Sequence, residues 1–325
     1  MSSQTFAITS KDLKEARRDG FFTVLTSFIG LAAIVALVTG AIALATDVAT
    51  YNAAKETLLA LGKSLDVIAS PEFYPLKLLR GAIEQIEIVG AVLGILVGFR
   101  TAVAERGRQT LALVLTRPLS KTQFLLGKVF AGTLLIAISL FMVFAVLAGV
   151  LAVSSGVPLS GDDLVRIGLV WVLATSYVSA FFLLSMLLTF TLKHPSSALL
   201  ASFVIWLLVV LIAPQIGDTL DPDNQVAGGV FKQLHIPKVE QERIKQGFAT
   251  YELVRNGIEA ASVTKHFERA SFAILGIKDT YTGQALTPIL TEKRSDIFWI
   301  FGSFFLLSIL TISNKLKFEK LSKES

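Results

Sequence analysis

From Phe21 to Thr46 the chain carries no charged side chain. That run is longer than the ~20 apolar residues a helix needs to cross hydrocarbon. Four more charge-free runs follow: Val129 to Gly161, Ile167 to Leu192, Pro195 to Gly217 and Ile297 to Asn314. A sixth, IEQIEIVGAVLGILVGFR, starts near Ala82. Its charge-free core, Ile88 to Phe99, is too short to cross alone. It spans only if Glu84 and Glu87 lie near one interface and Arg100 near the other. Five clean runs and one conditional run predict an all-α, polytopic membrane protein with six transmembrane helices. Composition agrees: 53% of the 325 residues are hydrophobic and only 17% charged, against roughly 25% charged in soluble domains. An ordinary soluble enzyme and a disordered chain are both excluded.

Ala43-Leu44-Ala45 mimics a signal-peptidase site. The apolar run is far longer than the ~7–15 residues of a leader, and the segment ahead of it is long and mixed in charge, so it is read as a span.

Orientation follows from Lys and Arg in short loops. Arg100 to Lys128 holds six cations and one acid, Glu105. The tail, Lys193 and the N-terminal Lys11, Lys14, Arg17 and Arg18 fall on the same side of a six-span chain, leaving the other segments net acidic. Both termini are expected in the cytoplasm of a cell bearing this protein in its inner or plasma membrane. The expected division is a leading amphipathic helix over 1–20 and a first span over 21–46. An outer segment (47–81), a second span (82–101), a cytoplasmic loop (102–128) and a third span (129–153) follow. Next come an outer loop (154–166), a fourth span (167–192), a turn (193–196) and a fifth span (197–217). An extracytoplasmic helical insert (218–295), a sixth span (296–314) and a cytoplasmic tail (315–325) complete the chain. Within the insert, Ile244, Phe248, Tyr251, Val254 and Ile258 recur at helical spacing, with Val263 and Phe267 continuing the stripe. Such a helix either caps the outer mouth or docks an extracytoplasmic protein.

The chain offers few groups for chemistry. There is no Cys, so thiolate metal sites, disulfides and Cys nucleophiles are excluded. The three histidines, His194, His235 and His266, avoid the span centres. TLLALGKS (57–64) lacks the first glycine of a P-loop. No cofactor, metal or catalytic site is expected, and a net charge of +5 that sits beside spans does not point to nucleic acid. Glu84 and Glu87, three apart, share a helical face. They either snorkel near Lys77 and Arg80 or line an outer vestibule. Gly90, Gly94 and Gly98 make two overlapping G-x-x-x-G steps, which allow close approach of a helix of the same chain or of a second copy.

The segment RTAVAERGRQTLALVLTRPLSKTQFLLGK (100–128) is the most specific. Pro118 breaks the apolar run 111–115, and Ser120 reads as the N-cap of the next helix. The segment resembles the cytoplasmic loop of type-2 ATP-binding-cassette permeases. The match runs through Glu105, Thr110, the 111–115 run, Arg117-Pro118-Leu119-Ser120-Lys121 and Gly127-Lys128. Two departures stand out: Gln109, where the family usually has Gly, and Phe99, near a common acidic position. SKDLKEARRDG (10–20) resembles the family's leading helix, and Trp206 followed by Pro214 is a weaker likeness. The insert resembles the branch containing the permease of nitrous-oxide reductase maturation. The resemblance implies an exporter half with no nucleotide site that forms a homodimer or heterodimer. A separate cytoplasmic ATPase would dock through Glu105, Arg106, Arg108, Thr110, Arg117, Pro118, Ser120 and Lys121. Arg106, Arg108 and Arg117 pair with acids on that ATPase or contact lipid headgroups. Two rival functions stand beside it: a mechanical transmitter to an extracytoplasmic partner, and a membrane anchor or sensor with no ATPase.

Overall fold

A computed structural model describes residues 3–18, 20–61, 74–107, 120–154, 159–220 and 260–313, with 234, 240, 243, 244, 247, 253, 254 and 257. Among these residues every regular element is a helix. Six helices are long and apolar enough to cross a membrane: Phe21–Ile42, Pro75–Glu105, Thr122–Val153, Gly161–Thr191, Pro195–Ile216 and Arg294–Ser313. The protein is a polytopic all-α membrane protein.

Helix α1 is Ser3–Arg18, and Gly20, at a φ of 69°, is the N-cap of α2, Phe21–Ala60. Only a residue without a Cβ adopts that left-handed corner cheaply. At 40 residues, α2 is about 60 Å long, twice the ~30 Å hydrocarbon thickness. It continues well past Thr46 and absorbs the first part of the outer segment. Its side chains divide by solvent. Val24, Phe28, Leu31, Val35 and Ile42 are exposed at helical spacing, while Ile29, Ala33 and Leu37 are buried. Large apolar groups facing outward are stable only against lipid, which is as apolar as they are.

The second crossing is one composite run. It starts with a 3-10 turn, Pro75–Leu79, and continues as α3, Arg80–Gln85, a π-helical turn, Ile86–Gly90, and α4, Ala91–Gly107. The third is α5, Lys121–Ser154, and the fourth α6, Gly161–Thr191. A capping box starts α6: Asp163 N–H donates to Ser160 Oγ at 3.1 Å, and Ser160 N–H donates to Asp163 Oδ2 at 2.9 Å. The fifth crossing is α7, Pro195–Trp206, then a second π-helical turn, Leu207–Ile212, then α8, Ala213–Leu220. Pro214 accounts for that turn, since it has no N–H to give to a carbonyl one turn back. The chain returns through α9, Val263–Ile274, α10, Leu286–Glu292, and α11, Arg294–Ser313.

Helix α6 is the axis of the bundle; α4, α5, α7, α9 and α11 all pack on it. Its partners approach closely because their contact faces are small. A Cβ on Gly94 would lie 2.4 Å from the Val178 carbonyl oxygen, and one on Gly98 would lie 2.1 Å from that of Phe182. On the other side Phe182 presses its ring onto Gly132 of α5. On α11 the buried face presents Ile300, Ser308 and Thr311, while Phe298, Trp299, Phe305 and Leu306 face outward. Hydroxyls join neighbouring spans, as where Thr26 Oγ1 and Ser139 Oγ lie 2.7 Å apart.

Helix α9 comes from the C-terminal part of the insert and packs into the bundle. Arg166 on α6 donates to the Ile274 carbonyl at the end of α9, whereas Tyr177 stacks on Phe267 near its start, centroids 4.6 Å apart. Those α6 positions are separated by about 16 Å of helix rise, so α9 lies alongside α6 inside the bundle. Its Phe267 and Phe272 belong to the common core. Gly276, at φ 63°, ends it in a Schellman turn. There Ile277 N–H donates to the Phe272 carbonyl at 2.9 Å and Gly276 N–H to that of Ala273 at 3.0 Å. The stripe from Ile244 to Ile258 lies mostly outside the described residues.

Candidate functional site

At the α1 end of the bundle three helices meet over one buried cation. Lys128 Nζ, on the second turn of α5, donates to Glu105 Oε1 at 2.6 Å and to Asp12 Oδ1 at 3.0 Å. Glu105 lies near the end of α4, and Asp12 on α1. Lys128 and Glu105 are 4% and 5% exposed. Isolated, each charge would be strongly disfavoured there; together they offset much of one another's desolvation. Burial nonetheless outweighs the pull of Lys128 on Asp12 and pushes its carboxyl above the usual range.

The surrounding contacts fix this geometry. Thr9 Oγ1 donates to the Thr5 carbonyl at 3.0 Å and reaches the Gly127 carbonyl at 3.2 Å. A Cβ on Gly127 would come within 2.8 Å of Ile8; the glycine is what lets α1 lie against α5. Ser120 caps α5: Gln123 N–H donates to Ser120 Oγ, and Ser120 N–H donates to Gln123 Oε1, both at 3.2 Å. A cleft of about 160 Å³, with Glu15, Phe22, Arg100 and Leu135 on its walls, opens beside the charge cluster.

The cluster therefore joins the two helices on either side of residues 108–119, and it recruits α1 as well. Glu105, Ser120 and Lys128 are placed by the structure. Arg106 lies in the last turn of α4 and Lys121 begins α5, with their side chains outside what is described; Arg108, Thr110, Arg117 and Pro118 lie outside the described residues. Asp12 was missed by the sequence reading. The only signal was its place on the polar face of a short amphipathic helix, which many solvated acids share.

The other candidates separate. The Gly90, Gly94 and Gly98 face is filled by Val178, Phe181 and Phe182 of the same chain. Glu84 and Glu87 do not share an environment. Glu84 is half-buried and pairs with Arg80 at 3.0 Å, while Glu87 is buried in the first π-helical turn. Its carbonyl accepts from Tyr177 OH at 2.9 Å.

Residues 6–284 match the family described as ABC-2 family transporter protein. The chain belongs to that family. It is thus the membrane permease part of an ABC transporter. Permeases of this family are membrane transport subunits and normally work with a cytoplasmic ABC ATPase subunit. The comparison with curated proteins finds no match.

Proposed function

We propose that this permease is the membrane half of an export complex, driven by a separate ATPase that docks on the segment around Glu105–Lys121. Both termini and that loop lie in the cytoplasm of the cell membrane, and two permease chains pair to form the transporter. The observation that carries the reading is the buried Asp12–Lys128–Glu105 cluster. A displacement applied to the loop reaches α4 and α5 at residues already tied to each other and to α1. The three helix ends then move as one lever, and interfaces repack rather than flex when such a lever shifts. Arg106, Arg108 and Arg117 supply the charge that meets acids on the ATPase.

Co-expression with the ATPase encoded beside it tests this. The expected result is a co-purifying complex whose ATP hydrolysis falls on Glu105→Ala or Arg117→Glu. A permease that purifies without any ATPase, and that tolerates Glu105→Ala, would instead be a membrane anchor or sensor.

A second reading has its own support. Because α9 is packed on α6 and α11, movement of the bundle is delivered to the 218–295 insert. An extracytoplasmic protein bound there would be remodelled rather than a solute carried, as the resemblance to the nitrous-oxide reductase maturation branch suggests. Capture of such a protein by the wild type but not by an α9 variant, Phe267→Ala, distinguishes the two.

A further inference from the structure

Beside the cleft of the charge cluster runs a second, wider groove of about 1040 Å³, lined by Phe6, Lys11, Lys14, Arg18 of α1 and by Arg100 of α4, with Glu15 where the two cavities adjoin. Ala7, Lys11, Lys14 and Arg18 recur at the helical period and so form one stripe of α1. Among the described residues, four cations thus meet one carboxylate in a single concavity. None of Lys11, Lys14 and Arg18 is held in an ion pair among the described residues. Phe6 is 67% exposed at the rim. The span Phe21–Ile42 begins within one turn of Arg18, so the groove opens where hydrocarbon gives way to headgroups.

We propose that this groove binds an anionic phospholipid, one per chain: its phosphate among Lys11, Lys14, Arg18 and Arg100, its acyl chains over Phe6 and the first turn of α2. Clustered cations at a membrane edge attract acidic headgroups, and the adjoining apolar rim selects a lipid over a free anion. Glu15 and Arg100 also wall the cleft of the charge cluster. A bound lipid therefore touches the same corner that ties α1 to α4 and α5. The site is independent of ATPase docking and stands or falls by itself.

The test uses the purified full chain, released from mixed phosphatidylglycerol and phosphatidylcholine and examined by native mass spectrometry. The wild type is expected to retain phosphatidylglycerol over phosphatidylcholine by about tenfold. Lys11→Gln/Lys14→Gln/Arg18→Gln should lose that preference, and Lys193→Gln should keep it. Equal retention of the two lipids by the wild type, or an undiminished preference in the triple variant, overturns the proposal. So does thermal stabilisation by inorganic phosphate as large as that by phosphatidylglycerol, which would assign the groove to a free anion. Displacement of the retained lipid by a poly-glutamate peptide would assign it to a protein. A Phe6→Trp chain guards against misfolding of the triple variant. Its added fluorescence should be quenched more by brominated phosphatidylglycerol than by brominated phosphatidylcholine, and equal quenching rejects the site.

Discussion

The two ends of the bundle are held by different physics. At the α1 end, Asp12, Glu105 and Lys128 come from three separate helices, with Lys128 separated by 116 residues from Asp12 and by 23 from Glu105. The bonds are ionic and desolvated. At the opposite end, Arg166 is buried on α6 with its guanidinium on backbone. It donates to the Ile274 carbonyl at 2.8 Å and the Gln284 carbonyl at 2.5 Å, and pairs with Asp162 at 2.6 Å. His266 adds a contact with Asp296 at 2.6 Å and stacks on Trp299. There the cation finishes the end of a helix already locked by aromatic packing. Charge between helices can be rearranged while each helix stays intact. A capped, packed helix moves with its neighbours or not at all. The α1 end is therefore tied by charge shared between three helices, and the α9 end by a capped helix packed on its neighbours.

The largest test of this contrast removes the shared cation. Lys128→Met leaves two carboxylates buried without compensation and should cost about 3–5 kcal/mol, read as a lowered thermal midpoint in detergent. Neutralising all three, with Asp12→Asn/Glu105→Gln/Lys128→Met, should restore most of that loss. Failure to recover would mean Lys128 acts through packing rather than charge.

At the other end, Arg166→Met strips the carbonyls of Ile274 and Gln284 of a charged donor. About 2–3 kcal/mol is expected, with amide exchange rising in 275–285 and not in α1. Exchange rising equally at both ends would erase the distinction between them. Between the ends, Gly94→Ala drives a Cβ against the Val178 carbonyl and should cost about 1–3 kcal/mol. Gly149→Ala meets nothing within 4 Å and serves as the neutral control.

The smallest effect is a pH dependence. Burial raises the Asp12 carboxyl in the folded chain, so the folded state holds that proton more tightly than the unfolded one. The stability gained from it is complete below the ordinary aspartate value of 3.8 and is lost as pH rises through the raised folded value. Thermal midpoints of Asp12→Asn should therefore lack this decline between acid and neutral pH. Parallel curves for variant and wild type would place the proton elsewhere.

Much of the architecture was legible from hydropathy. A charge-free run long enough to span has few alternatives, and all six spans correspond to helices. The N-cap at Ser120 was legible for the same local reason, since capping needs only neighbours along the chain. The glycine steps of the second span were legible as a close contact but not as a contact with α6, because the pattern is silent about which helix fills it. The split between Glu84 and Glu87 was hidden because a π-helical turn begins between them and shifts their facing.

What the linear order of residues settled alone is the membrane environment, the number of helices apolar enough to cross, and the family. These depend on the solvent transfer of consecutive side chains, a property of short stretches. The tertiary structure decided which acids share Lys128, where the glycines point, and that α9 enters the core. Those outcomes depend on which surfaces fit when all the helices are packed together, and no single segment carries that information.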